Sequence, residues 1–251
     1  MPIDYLKLKN THERDNHITF DEGPHIYTIN GDSGYTSVTT WNHKNFEKFD
    51  ADKIINRMMK SPKWKDSPYY NMTKEQIKKQ WSDSGKEASS KGTALHYDIE
   101  KFYNNMEVAN DSEEYEYFMN FVEDKKNLVP YRTEWMIYDK ELKLAGSIDM
   151  LFINPDDGSV EIYDWKRSKE IKFDNKWKRS HTKCISHIPD CNYYHYCLQL
   201  NTYKYILEKN YGLNVSKMYL VCLHPNNHNK NYIRYKVKKL DKEIKALVKR
   251  V

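Results

Sequence analysis

The stretch LKLAGSIDMLFINPDDGSVEIYDWKRS (Leu142–Ser168) reads as two β-strands joined by a tight turn. Val, Ile, Phe, Tyr and Trp dominate its two arms, and Pro155–Gly158 supplies turn chemistry between them. Successive side chains on a strand point to opposite faces, so Asp164 and Lys166, two residues apart, share one face. The turn makes the arms neighbours and brings Asp149 of the first towards Asp164 of the second. Two carboxylates held together repel each other, and packing alone gives no reason to keep them so. A hard divalent cation removes the conflict, because Mg²⁺ or Mn²⁺ is held by one or two carboxylates and keeps positions for water and phosphate oxygens. Lys166 beside such an ion would orient or deprotonate an attacking water, or stabilise charge developing on a phosphate. Taken alone, Asp164 and Lys166 read equally as an exposed ion pair of small energetic value.

Upstream, YRTEWMIYD (Tyr131–Asp139) predicts a further strand carrying Glu134. The segment His25–Trp41 predicts two short strands around the Asn30–Gly34 turn cluster. Between Asp50 and Trp81 the pattern is helical, and Thr73 with Gln76 forms a capping box. A separate helix is expected to begin near Ser89 or Ser90, with Leu95, Ile99 and Phe102 as its apolar stripe. Ser112–Leu128 predicts another, closed by Pro130. Downstream come a helix over Tyr194–Lys209 with Gly212 just past its end, a strand over Ser216–His224, and a last strand and helix. Helices, then a meander, then helix and strand predict an α/β fold, a mixed sheet flanked by helices. The expected division is an N-terminal hairpin and mostly helical lobe over 1–89, packed on a core over 90–251 with a basic C-terminal tail, as one compact unit.

Composition narrows the function classes. Hydrophobic residues make up 39% and charged residues 31% of 251, which suits a soluble globular chain and excludes a disordered or fibrous one. No apolar run is long enough for a membrane span, and MPIDYLKLKN lacks a signal-peptide core. An intracellular, cytoplasmic protein is expected. The net charge of +5 is modest, but the last 22 residues hold nine Lys/Arg against two acids. They suit phosphate contact or a solvated helix face.

Asp149, fourteen intervening residues and then Asp164–Trp165–Lys166 resemble the PD-(D/E)XK nuclease motif. GTALH (Gly92–His96) is similar to the G-x-x-x-H helix motif of the RecB-like branch, and Glu134 matches an acidic residue of that branch. QLNTY (Gln199–Tyr203) is similar to its Q-x-x-x-Y helix, whose spacing puts both side chains on one face. These elements occur in the family order over roughly residues 90–223. Similar proteins are the mitochondrial genome maintenance exonuclease and viral or phage RecB-like nucleases. The resemblance implies a restriction-endonuclease-like fold and one or two Mg²⁺ or Mn²⁺ ions. His96, Asp149, Asp164 and the backbone carbonyl of Trp165 would be their ligands. By the same resemblance Lys166 is the catalytic lysine, Gln199 and Tyr203 position phosphates or active-site side chains, and Glu134 supports the site. Glu100, one turn after His96, is placed to orient the imidazole. Arg167 departs from the common D-x-K-T-S continuation.

The function implied is a DNA exonuclease acting on single strands or duplex ends in replication, repair or recombination, favoured as a monomer. The alternatives are a structure-specific endonuclease of the same fold and a non-catalytic nucleic-acid-binding protein. Lys166–Ser180, with seven Lys/Arg against two acids, would guide the strand, with Trp177 available to stack on a base. The Lys-, Asn-, Tyr- and Ile-rich composition suits an AT-rich genome, including a viral one. The rival signal is His181, Cys184, His187, Cys191, His195 and Cys197, six potential zinc ligands within 17 residues. They would make a zinc-stabilised interaction module. Iron–sulfur members of the branch place one cysteine upstream of the histidine motif. Here all four lie downstream, so no such cluster is expected. GDSGYTS lacks a Walker lysine, so no nucleotide cofactor is expected.

Overall fold

The computed structural model describes residues 4–250. In chain order its elements are α1 (Tyr5–Lys9), β1 (Ile18–Asp21), β2 (Ile26–Ile29), β3 (Thr36–Ser37), α2 (Val38–His43), α3 (Ala51–Met59), α4 (Lys74–Tyr103) and α5 (Glu113–Asp124). There follow β4 (Val129–Asp139), β5 (Leu144–Ile153), β6 (Val160–Lys166), α6 (Asn192–Asn210), β7 (Val215–Cys222), β8 (Ile233–Lys236) and α7 (Asp241–Val248). A mixed six-stranded sheet runs β3-β5-β6-β7-β8, with β4 also paired to β5. The β4, β5 and β6 ladders are antiparallel, as tight turns require. The β6–β7 ladder is parallel, its crossover being the α6 segment. No helix among the described residues is long and apolar enough to cross a membrane.

Alternation along the strands sorts the sheet into two faces. Val160 and Ile162 of β6 join Leu198, Tyr203 and Ile206 of α6 on one side. Tyr163 and Trp165 join Leu95 and Ile99 of α4 and Phe118 and Phe121 of α5 on the other. The parity that sends Trp165 to α4 and α5 therefore sends Asp164 and Lys166 towards α6. Trp165 meets Phe118 and Phe121 edge-on, with centroids 5.6 and 5.3 Å apart, a favoured aromatic geometry. That anchors β6 close to its free end.

Three sequence expectations are corrected. The two helices expected on either side of residue 82 form one 30-residue α4. Thr73 and Gln76 cap it reciprocally, as the capping box predicts. Ser82–Lys91 in its middle is exposed throughout. Buried Ile77 at one end and Leu95 and Ile99 at the other hold this stretch of weak helix formers in line. The N-terminal hairpin pairs β2 with the upstream β1, while β3 leaves it and lies parallel to β5 in the main sheet. Pro130 does not cap the preceding helix but lies in β4, at its register irregularity. A residue without an N–H fits there.

Before β1, one carboxylate is central among the bonds that fix the chain to β4, beside Asn10 to the Tyr131 carbonyl and Arg14 to the Tyr138 carbonyl. Asp15 accepts from Arg132 Nη1 at 2.8 Å and from Trp135 Nε1 at 2.7 Å. Arg132 is buried, so Asp15→Ala leaves it without a counter-ion, with only the Asn10 carbonyl and the Trp135 ring against its guanidinium. The expected loss is about 3–5 kcal/mol, read from the urea-unfolding midpoint. A loss under 1 kcal/mol would contradict this account.

Candidate active site

The β5–β6 ladder runs from Ile153–Val160 to Met150–Tyr163 and stops. The next pair in that register is Asp149 and Asp164. Past it, β5 continues between β4 and β3 and β6 continues against β7. The sheet thus forks where the two carboxylates stand. One backbone donor freed by the fork is used at once, the Trp165 N–H donating to Asp149 Oδ2 at 2.9 Å.

α4 delivers His96 to this fork. Its Nε2 lies 2.9 Å from the Trp165 carbonyl oxygen. A carbonyl only accepts, so Nε2 carries the hydrogen in that contact. Nδ1 lies 3.5 Å from Glu134 Oε1 and 3.6 Å from Asp149 Oδ2. Glu134 stands opposite Asp149 on the other flank of β5, bracketed by the pairs Thr133–Met150 and Trp135–Ile148. Its φ of 41° is a strained conformation for a residue with a Cβ, of the kind that gathers at functional sites. Ser147 Oγ donates to Glu134 Oε2 at 2.9 Å and fixes the carboxylate.

His96, Glu134 and Asp149 each offer a ligand atom within 4.8 Å of the others. One imidazole nitrogen and two carboxylate oxygens are a donor set that suits a divalent cation such as Mn²⁺ or Mg²⁺. The sequence points to His96, Asp149, Asp164 and the Trp165 carbonyl as ligands, but that carbonyl is occupied by His96 Nε2. In the structure Glu134 stands with the first two, and Asp164 turns to Lys166. Asp164 Oδ2 lies 2.6 Å from Lys166 Nζ, a charge contact outside hydrogen-bonding angles, and no hydrogen-bond donor reaches that buried oxygen among the described residues. Lys166 Nζ also lies 5.1 Å from the centroid of the Tyr196 ring on α6. This cation–π contact holds the ammonium from the other side.

Burial dominates the electrostatics of the fork. It works to lower the His96 pKa, but Asp149 and Glu134 outweigh it and raise it to about 9. Burial raises Asp149, against the pull of His96 and Lys166. It raises Asp164 to about 6, with Lys166 opposing. For Lys166 burial is again overcome, by Asp164 and Asp149, and the ammonium is held well above its ordinary range. A pH dependence follows for the ion-free protein. A histidine raised from 6.5 to about 9 contributes stability that is fully present below pH 6.5 and is lost as pH rises through 9. Asp164, raised from 3.8 to about 6, loses its contribution between those values. The urea midpoint in chelator is expected to fall from pH 6.5 to 9, and His96→Gln should remove most of that fall. A flat profile in the wild type would refute it.

On α6, Gln199 Nε2 donates to the Tyr203 hydroxyl at 3.2 Å, the one-face arrangement expected of the Q-x-x-x-Y spacing. The Tyr203 ring lies over Gly146 of β5. A Cβ there would stand 2.7 Å from Tyr203 Cε1, and the buried ring has nowhere to retreat. Gly146→Ala is therefore expected to cost about 1–3 kcal/mol and to displace Tyr203 from Gln199. Thermal unfolding and steady-state cleavage check this, and unchanged values for both would show the contact to be slack.

His96, Glu134, Lys166 and Gln199 line one cleft of about 870 Å³ between α4 and α6. Glu100 lines it too, its carboxyl pushed up to about 7 by burial and by Glu134. It makes no hydrogen bond to His96 among the described residues. Arg167 is outside this lining and binds Glu114 of α5 at 2.6 Å. Trp177 is 92% exposed on the loop after β6. The His/Cys-rich run disperses: His195 bonds Asp190, His187 pairs with Glu243, Cys197 is buried and Cys184 is exposed. Sequence reasoning missed Ser147, Tyr196 and Gly146. Ser147 and Gly146 lie within the quoted strand, but their partners become visible only once β4 and α6 are docked.

The profile of the PD-(D/E)XK nuclease superfamily matches residues 112–251, more than half of the chain. The chain belongs to the PD-(D/E)XK nuclease superfamily. No curated protein matches it closely enough to count as a relative. The matched span holds Glu134, Asp149, Asp164 and Lys166 and leaves out His96, which α4 supplies from upstream. In a PD-(D/E)XK nuclease the chemistry is metal-dependent phosphodiester hydrolysis, and the forked sheet is where this chain gathers donors for a cation.

Proposed function

We propose that the protein is a divalent-metal-dependent deoxyribonuclease of the RecB-like type, hydrolysing phosphodiester bonds of single-stranded DNA or DNA ends as an exonuclease. The observation that carries this is the convergence of His96, Glu134 and Asp149 at the fork with the Asp164–Lys166 pair beside it. The setting proposed is intracellular DNA replication, repair or recombination.

His96, through Nδ1, would hold Mg²⁺ or Mn²⁺ together with Glu134 and Asp149, with Asp164 at hand to complete the set, while the Trp165 carbonyl accepts from Nε2 and orients the imidazole. A bound ion supplies Lewis-acid polarisation of the phosphoryl oxygen and a water of lowered pKa. The rest falls to the protein. Lys166, kept protonated by Asp164 and Asp149, presents a positive charge where negative charge develops on the phosphate. Tyr196 and Asp164 fix its ammonium. Gln199, held by Tyr203, presents its amide to the cleft. The basic loop after β6, with Trp177 at its surface, guides the strand towards the cleft.

The test is incubation of end-labelled single- and double-stranded DNA, and RNA, with Mg²⁺ or Mn²⁺. Mononucleotide release from one end supports the reading, and internal cuts at junctions would favour a structure-specific endonuclease. Binding without cleavage across all metals would make the chain a non-catalytic nucleic-acid-binding protein.

A further inference from the structure

A second cavity adjoins the active-site cleft. Its volume is about 420 Å³, and it shares His43 and His195 with the cleft. The two spaces meet across these rings. Beyond them lie Phe46, Phe49 and Ile54. Phe46 is buried, whereas Phe49 is 73% exposed although it has a large apolar ring. It leans on Trp81 of α4, with centroids 6.0 Å apart. No part of the mechanism above uses this aromatic surface.

The wall between the cavities is built firmly. His195 Nε2 donates to Asp190 Oδ1 at 2.9 Å, and the Phe46 ring lies 4.3 Å from the imidazole. Asp190 is itself clamped, its N–H donating to the Lys178 carbonyl at 2.9 Å and its carbonyl accepting from Asn175 Nδ2 at 2.7 Å. Burial lowers the His195 pKa, with His43 adding and Asp190 opposing, so the His195 imidazole is uncharged at neutral pH.

The charges around the cavity say which part of a nucleotide suits it. Lys48, Lys53 and Lys178 face Glu47, Asp50 and Asp190. Glu47 takes both Lys53 and Lys178, at 2.8 Å each. Two of the three cations are thus already neutralised and gain little from a phosphate, while the exposed Phe49 ring is open to a flat apolar partner. We propose that this cavity is a nucleobase subsite, in which a base of the substrate strand flanking the scissile phosphate stacks on Phe49 after the backbone passes His43 and His195. This rests on the nuclease reading above and adds the path of the strand to it.

The experiment measures binding of a fluorescent single-stranded oligonucleotide in chelator, where no cutting occurs, to wild type, Phe49→Ala and Phe49→Tyr. Each is tested with an ordinary strand and with matched strands bearing one abasic position, moved stepwise along the sequence. Stacking of one base predicts Phe49→Ala binding about 5- to 150-fold more weakly and Phe49→Tyr binding like wild type. One abasic position should weaken wild type to the same extent and leave Phe49→Ala unaffected. Equal affinity of wild type and Phe49→Ala for the ordinary strand overturns the proposal. So does a Phe49→Ala loss that persists on every abasic strand, since the ring then meets backbone. Failure of the wild type to bind or cut any nucleic acid would instead remove the nuclease reading, and the subsite with it.

Discussion

Lys166→Met is expected to lower the rate of strand cleavage by about 10²–10³-fold, the usual effect of removing one charge-stabilising donor from a preorganised site. The ammonium is enclosed by Asp164 at 2.6 Å and the Tyr196 ring at 5.1 Å. It cannot swing away, and its proton is held far more tightly than in a free lysine. In that state it is a fixed cation and not a base. A fixed cation acts on charge that appears in the transition state, so kcat and kcat/KM should fall together while substrate affinity changes little. Removing it also leaves the Asp164 carboxylate buried without a partner, so Asp164 should take up a proton and the fold should survive. Steady-state kinetics with a labelled strand, beside a circular dichroism spectrum, separate the two effects. A folded Lys166→Met protein retaining a tenth or more of the activity would remove Lys166 from the chemistry.

The residues that decide the fold lie close together in sequence, and that is why they were legible. Asp149 and Asp164 become neighbours through one turn, and Gln199 and Tyr203 through one helical turn. Both relations follow from local periodicity. What escaped depends on docking between distant segments. β3 is two residues long and gains its place only from pairing with Leu144 and Ala145. The middle of α4 has the composition of a linker, and its helicity is imposed by anchors on either side. Glu134 was legible as an acid in the right strand. Its position against His96 depends on a positive φ and on Ser147, thirteen residues away. Tyr196 was hidden among the tyrosines of α6, since spacing cannot say which of them meets Lys166.

The same contrast explains why the site is costly to keep. β6 is anchored by Trp165 in an aromatic cluster, with Phe118, Phe121 and Tyr163 around it, and its two neighbours on the opposite face are a buried carboxylate and a half-buried ammonium. A strand edge held this firmly can carry charges that would otherwise pull it into water. Stability is drawn from the apolar face and used to preorganise the polar one.

Asp149→Asn is expected to have the second large effect, on rate and on the response to ions together. Asp149 Oδ2 serves both the Trp165 N–H and the donor group around His96. An amide keeps the size but not the charge, and the donor group then loses one of its two carboxylates. Loss of several kcal/mol of metal-assisted stabilisation corresponds to about 10²–10⁴-fold in cleavage rate. The independent readout is thermal. An ion that binds only the folded state should stabilise the wild type by about 2.7 kcal/mol at a hundredfold excess over Kd, or about 5–10 °C for a chain of this size. Asp149→Asn should lack that shift in Mn²⁺ when measured against its own melting temperature in chelator. Asp164→Asn should keep part of the shift, because Asp164 stands with Lys166 outside the three-donor group. If instead Asp164→Asn loses the whole shift and Asp149→Asn keeps it, the ion is held on the α6 side of the fork, and His96 and Glu134 are not its ligands.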